Sequence, residues 1–288
     1  MNWLYEFPIE LPIDFQAIDE AVRAFSVKYD AFFSAITTVL RNFVNLVENI
    51  LNFIPWFVLI GLVIFATWYL LGKLGSGILY GFLLFLVGAV GYWELMNETL
   101  AIIIVSVIIS LVLGFPLGIL ISASERADRT IRPILDTMQT MPVFVYLIPA
   151  LLFFGLGKAP GVIATTIYAI VPMIRMTSHG IRQIDEEVIE ASKSFGSTWV
   201  QSLIKVEIPQ ALPTIMTGVN QTLMMAISMV VTTSMIGVRG LGMEVLDGVN
   251  KIEIGRGLIS GISVVIMAVV LDRITQGFVQ NSEVEADE

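Results

Sequence analysis

Seven stretches of this 288-residue chain run for fifteen or more residues without a charged side chain: Ile54–Leu71, Leu74–Trp93, Thr99–Ala123, Thr137–Gly157, Ala159–Ile174, Ile208–Val238 and Gly257–Leu271. An apolar helix of about 20 residues crosses the roughly 30 Å of hydrocarbon in a bilayer. A soluble fold of this length has no interior large enough for so many such runs. Hydrophobic residues reach 56% and charged residues only 14%, against roughly 45–50% and about 25% in soluble domains. The expectation is an all-α, polytopic membrane protein with about seven spanning helices. The fifth and last runs are short, so their helices should extend past a flanking charge. The 31-residue run contains Pro209 and Pro213, and its helix is expected to start near Pro213. Lys73 alone separates the first two runs, which predicts a tight turn.

The ends differ from the middle. Residues 1–53 carry most of their charge as carboxylates, and from Phe15 to Leu51 apolar residues recur at helical spacing (Ile18, Val22, Phe25; then Phe32, Ile36, Val39, Phe43, Val47, Ile50). This predicts one or two amphipathic helices lying on a membrane surface or against the spans. The acidic start is unlike a secretory signal. Three units are expected: an N-terminal amphipathic segment 1–53, a membrane-spanning domain 54–278 and an acidic tail 279–288. Lys and Arg concentrate in short cytoplasmic loops of membrane proteins. Nine of them fall on one side (Lys73; Arg126, Arg129, Arg132; Arg175, Arg182, Lys193, Lys205; Arg273). That places the N-terminus outside and the tail in the cytoplasm.

Many chemistries are excluded. There is no Cys, and His179 is the one His, so disulfide scaffolds, thiol catalysis and a metal centre are not expected. No G-x-x-x-x-G-K-[ST] phosphate loop and no G-x-S-x-G elbow occur, so neither nucleotide hydrolysis by that route nor hydrolase chemistry is expected. The net charge of −9 argues against nucleic acid as a partner.

Two spans carry a pattern. The third has small residues at every fourth position (Ser106, Ser110, Gly114, Gly118, Ser122), a face suited to close helix contact, and Pro116 should kink it. The sixth has a polar stripe of Thr217, Gln221, Met224, Ser228 and Thr232, with Asn220 beside it. Spacings of three and four keep these on one face. Two readings stand: interhelical hydrogen bonding, or the lining of a polar pathway.

The stretch Met176–Pro213 is the longest inside loop. Asp185 is a good N-cap with Glu186 and Glu187 behind it, Gly196 is a helix stop, and Ser197 is placed to cap a second short helix ending before Pro209. A connector needs no such capping; a docking element that transmits force does.

Here a resemblance enters. Glu190-Ala191-Ser192-Lys193-Ser194-Phe195-Gly196, followed by Val206-Glu207-Ile208-Pro209, resembles the EAA loop of ABC-importer permeases, with Ser192 in place of the usual second Ala. Ile131–Thr140 with Pro142–Pro149, Gly218–Met224 and Gly240-Leu241-Gly242 resemble the glycine betaine/proline branch of these binding-protein-dependent importers. The resemblance implies a type I permease core. It implies a homodimer of this chain, two cytoplasmic ABC ATPase subunits, an extracytoplasmic substrate-binding protein and a lipid environment. ATP and Mg would be held by the ATPase, with no cofactor on this chain. Glu190, Ala191, Gly196, Ser197, Val206 and Pro209 would couple to the ATPase. Thr217, Asn220, Gln221, Met224, Ser228 and Thr232, with Phe144 and Tyr146 as aromatic faces for a quaternary ammonium group, are the expected translocation path. Choline, carnitine or another small amine are alternative substrates; a channel or secondary carrier is the alternative of another class.

Overall fold

A computed structural model of the chain describes residues 14–287, with side chains through residue 279. The first thirteen residues of the expected N-terminal segment, and the side chains of the acidic tail, lie outside the described residues. Fourteen α-helices follow in order: α1 (Phe15–Lys28), α2 (Asp30–Phe53), α3 (Trp56–Leu71), α4 (Leu74–Ala89), α5 (Trp93–Ser122), α6 (Glu125–Thr140), α7 (Phe144–Phe154), α8 (Lys158–Arg182), α9 (Glu186–Ser194), α10 (Trp199–Ser202), α11 (Ile208–Ser228), α12 (Val230–Ser234), α13 (Leu241–Asn250) and α14 (Ile254–Asp287). A π turn, Leu203–Glu207, joins α10 to α11.

The centre is the α5–α8 pair. Ser106, Ser110, Gly114 and Gly118 are all buried on α5, so the small-residue face is the packing face. A Cβ at Gly118 would sit 2.6 Å from Cβ of Thr177, and one at Gly114 would sit 3.0 Å from Cβ of Met173. Without side chains at these points the backbones close on each other, which is what holds helices together in lipid. The helix runs unbroken through Pro116. α11 packs on the other side of α8 in the same manner: a Cβ at Gly218 would lie 2.7 Å from Cβ of Met176, and one at Gly180 would lie 3.0 Å from Cβ of Thr214. α14 packs on α11, and the α3–α4 hairpin packs on α14. Gly72, at φ +65, makes the tight turn beside Lys73.

α1 and α2 are the two amphipathic helices. Asp14 caps α1 by accepting from the backbone N–H groups of Gln16 and Ala17, both at 3.0 Å. α2 lies against the spans: Val44 is fully buried, with Leu40, Phe43, Val47 and Leu51 packed around the same cluster. Its polar edge is tied down as well. Lys158, at the start of α8, pairs with Glu48 and donates to Asn45 at 2.8 Å. Asn97 of α5 donates to Asn52 at 2.9 Å. Phe33 stacks on Phe153 with ring centroids 4.8 Å apart and meets Phe154 edge-on, joining α2 to α7.

The expected runs fall on helices of unequal length. Four helical segments are long and apolar enough to cross a membrane alone: Trp93–Ser122, Lys158–Arg182, Trp199–Ser234 and Ile254–Val279. Two bent pairs, α2 with α3 (94°) and α6 with α7 (92°), raise the number to six if each is one span, and α4 is a shorter apolar helix. The run Thr137–Gly157 straddles the second bend. Proline makes both corners. Ile54 precedes Pro55 at ψ 121, and Met141 precedes Pro142 at ψ 131, because a residue before proline is driven out of the helical region. As expected, α8 and α14 extend past flanking charges, Arg175 in one and Asp272 in the other.

The sixth run also differs from expectation. Its helix does not begin at Pro213; the helical path is continuous from Trp199 to Ser234. The π turn ends where Pro209 enters the first turn of α11. A widened turn and the start of a helix are both places where a missing N–H is tolerated.

Filling the α5–α8 contact should be costly. Gly118→Val is expected to destabilise the protein by about 1–3 kcal/mol, read as a lowered thermal midpoint and loss of the monodisperse species in detergent.

Candidate functional site

The surface elbow comes first. Asp185 caps α9, accepting from Glu187 N–H at 3.0 Å, as its position predicts. At the other end Gly196 takes φ +82. Its N–H donates to Lys193 C=O at 2.9 Å and Ser197 N–H donates to Ser192 C=O at 3.3 Å, the paired bonds of a Schellman stop. Nothing lies within 4 Å of where a Gly196 Cβ would be. Glycine is needed here for its left-handed backbone, not for space. Ser192, the departure from the usual Ala, closes the turn: Oγ of Ser197 donates to Ser192 C=O at 2.8 Å, and the two hydroxyls are 2.6 Å apart.

The second helix is capped one residue later than expected. Thr198, not Ser197, is its N-cap, in a reciprocal capping box with Gln201. Ser197 is occupied by Ser192. The helix continues through the π turn instead of ending before Pro209, with the buried carboxylate of Glu207 accepting from Ser202 Oγ at 3.0 Å. α9 packs on this π turn. Glu190, Ala191, Gly196 and Pro209 are exposed, while Ser197 and Val206 are partly buried. The elbow brings these residues into one compact unit. Sequence reasoning missed its apolar tip. Phe195 is 93% exposed, and Trp199, Val200 and Ile204 are each more than half exposed. An aromatic residue directly before a glycine stop, in an otherwise polar loop, is the signal that marks it.

The base of the elbow is held by ions. Arg182, ending α8, donates to the carbonyls of Ile121 (2.8 Å) and Ser124 (3.2 Å) and faces Asp128 at 3.5 Å; Arg175 pairs with Asp136. These bonds tie α8 to the α5–α6 corner. His179 is exposed beside them.

The polar face of α11 is partly as expected. Thr217, Gln221, Met224 and Ser228 are exposed along one side. The hydroxyls of Thr217 and Ser228 turn back to their own helix, at 3.1 Å to Pro213 C=O and 2.8 Å to Met225 C=O, so Gln221 presents the one amide of the stripe. Thr232 is partly buried on α12. Asn220 is not part of this face: it donates to Asp272 at 3.2 Å and accepts from Thr275 Oγ1, locking α11 to α14. A step of one residue turns a side chain about 100° round a helix, which separates the two roles. The aromatic pair also divides. Phe144 is half exposed, but Tyr146 is buried with its hydroxyl donating to Met138 C=O inside the α6–α7 bend. Both sit on α7, which packs on α8 and α2.

The Gly240-Leu241-Gly242 motif has a steric origin. A Cβ at Gly240 would lie 2.4 Å from Oγ1 of Thr99, and one at Gly242 would lie 2.3 Å from Val230 C=O. Leu241 N–H donates to Thr99 at 2.9 Å. The motif is a seat for α13 against α5 and α12.

The helical core has a counterpart among solved structures. Its fold is similar to that of the solved structure of the MetNI methionine ABC transporter in an inward-facing conformation, with a TM-score of 0.59 at 23% identity over 64% of this chain and 93% of that one. Residues 110–283 match the family model described as "Binding-protein-dependent transport system inner membrane component". The chain belongs to that family: it is a multi-pass membrane transport subunit. Among curated relatives, it is 45% identical to the glycine betaine transport system permease protein OpuAB of Bacillus subtilis (strain 168), over 90% of this chain and 92% of that protein. It is 41% identical to the glycine betaine/carnitine transport permease protein GbuB of Listeria monocytogenes serotype 1/2a (93% and 96% covered). It is 46% identical to the glycine betaine/proline betaine transport system permease protein ProW of Escherichia coli (strain K12) (77% and 63% covered).

The two faces of α11 make separable predictions. Asn220→Leu removes the donor to Asp272 Oδ1 and the acceptor of Thr275 Oγ1 and is expected to cost about 1–3 kcal/mol, seen as a lowered thermal midpoint. Gln221→Leu should leave the midpoint unchanged.

Proposed function

We propose that this chain is the permease subunit of an ATP-driven importer of glycine betaine and related compatible solutes, as the names of its relatives suggest. Two copies enclose the pathway, two ATPase subunits dock beneath, and a separate binding protein delivers solute from outside. The N-terminus lies outside and the C-terminal tail inside, with α1 and α2 of the segment 1–53 forming an accessory layer on the permeation domain 54–278. ATP and Mg belong to the ATPase, and this chain holds no cofactor.

The observation that carries the proposal is the elbow. A Schellman stop, a capping box and a hydroxyl pair make it stiff, and its tip exposes Phe195, Trp199 and Ile204. A stiff part with an apolar knob is suited to seat in a groove of a moving partner and to pass on force without bending. α9 carries Glu190 and Ala191 on its exposed surface for the same contact. The elbow lies on the side holding the basic loops. Gly277 of α14 sits against Leu70, next to Lys73, and Arg182 reaches Ser124 near Arg126 and Arg129. That distribution supports a cytoplasmic elbow. ATP-driven closure of the ATPase pair then moves both elbows. Because α9 packs on the π turn, the motion passes into α11 and re-aims its polar face, a rigid-body alternation of access. Gln221 and the exposed edge of Met224 offer a polar but yielding wall to the solute.

Two measurements test this. Gly196→Val forces a β-branched residue into a left-handed backbone. In the assembled importer it is expected to reduce solute-stimulated ATPase activity at least about tenfold, a change of about 1.4 kcal/mol in barrier. Phe195→Asp should do the same by weakening ATPase docking in co-purification. Normal activity in both variants overturns the coupling assignment. For the pathway, Gln221→Leu should lower solute uptake while the ATPase still binds; unchanged uptake overturns the role of that face.

A further inference from the structure

A cavity of about 540 Å³ opens beside the α2–α3 bend, walled by Trp56 and Ile60 of α3, Phe85 of α4, and Trp93 and Glu94 of α5. It shares no residue with the elbow or with the polar face of α11. The α4–α5 corner builds it. Gly91 at φ +86 reverses the chain, with its N–H on Gly88 C=O at 2.9 Å and Tyr92 N–H on Val87 C=O at 3.1 Å. The reversal lays Trp93 on α4, where a Cβ at Gly88 would lie 3.4 Å from the indole ring. The glycines leave the floor of the cavity open. Opposite, the rings of Trp56 and Phe85 stand 6.2 Å apart with their planes at 54°, forming an angled wall. Both are about half exposed.

The chemistry of this lining is selective. Aromatic faces carry negative electrostatic potential and attract cations. Glu94 adds a carboxylate that makes no ion pair with another described residue. Three aromatic side chains and one carboxylate repel an anion. A small metal cation needs several oxygen ligands, and one carboxylate among apolar walls does not supply them. A cation dressed in methyl or methylene groups satisfies both parts at once: its charge meets Glu94 and the π faces, and its alkyl surface meets Ile60 and the rings. Separate interfacial tryptophans need no shared cavity, whereas these converge on one.

We infer that this cavity binds an organic ammonium group of the choline or ethanolamine kind, carried by a lipid headgroup or by a free solute. The site stands on its own walls and does not depend on the transport reading.

The full chain reconstituted in nanodiscs of phosphatidylglycerol tests it, with tetramethylammonium chloride as the probe. Saturation-transfer NMR of the probe's methyl protons, at constant ionic strength, should show a saturable signal. Glu94→Gln and Trp56→Ala should each raise the half-saturating concentration about tenfold, equivalent to about 1.4 kcal/mol. Both positions are exposed, and size-exclusion elution identical to that of the parent chain establishes that each variant is folded. Adding phosphatidylethanolamine, and in a second series phosphatidylcholine, to the discs separates the sources. A rise of about fivefold or more in half-saturation means that the headgroup occupies the cavity, and no rise means that a free solute does; either supports an ammonium site. Absence of a saturable signal, or half-saturation unchanged in both variants, overturns it.

Discussion

Backbone-to-backbone contact between α5 and α8 is the constraint from which the rest of the structure follows. In lipid there is no hydrophobic gain in pressing one apolar helix on another, so a bundle coheres only where shape allows atoms to approach. Gly114 and Gly118 permit that approach to Met173 and Thr177, and Ser106 and Ser110 are fully buried in the same seam. Once α8 is fixed, Gly180 and Gly218 seat α11 beside it, and the Asn220–Asp272–Thr275 bonds bring in α14. The polar face of α11 is thus presented by a chain of glycine contacts, and its direction is set by what the opposite side of the helix has to touch.

The elbow follows different physics. It lies outside the bundle, so no surrounding helices stiffen it, and its order is local. Caps at Asp185 and Thr198, the left-handed Gly196 and the Ser192–Ser197 pair each satisfy backbone groups that would otherwise fray. The ion pairs at its root differ in kind: Arg182 meets carbonyls at the end of α5, where the helix dipole favours a cation. Local order at the tip and charge at the base make the elbow a self-supporting unit with a firm attachment.

Much of this was legible in the sequence, because helices in lipid announce themselves through uncharged length and helix ends through capping residues. The small face of α5, the Asp185 cap, the Gly196 stop and the two amphipathic N-terminal helices all rest on local chemistry. What escaped depends on context. A hydropathy run does not see a corner, so Pro142 was absorbed into a span although Met141 before it had to leave the helix. Prolines 209 and 213 read as a barrier because the π turn that accommodates the first is a change of ladder register, which no residue type signals. Asn220 and Gln221 are both amides one step apart; only the position of α14 tells which is buried glue. Ser197 and Thr198 are both competent caps, and the choice was made by Ser192, five residues back. The exposed tip at Phe195 was missed because an aromatic residue in a loop is ordinarily folded under.

The π turn has a geometric consequence. A single widened turn holds about one residue more than an α-helical turn, so everything before it is out of phase, by about 100°, with everything after it. The outward side chains of α10 and the polar side of α11 therefore have a fixed angular offset that an unbroken α-helix of the same composition would not have. Such an offset is a crank. Force applied at the elbow tip acts off the axis of α11 and produces a twist as well as a pull. Regularising the turn by removing one residue would keep every helix, yet turn the elbow tip and the polar face of α11 to a different relative angle.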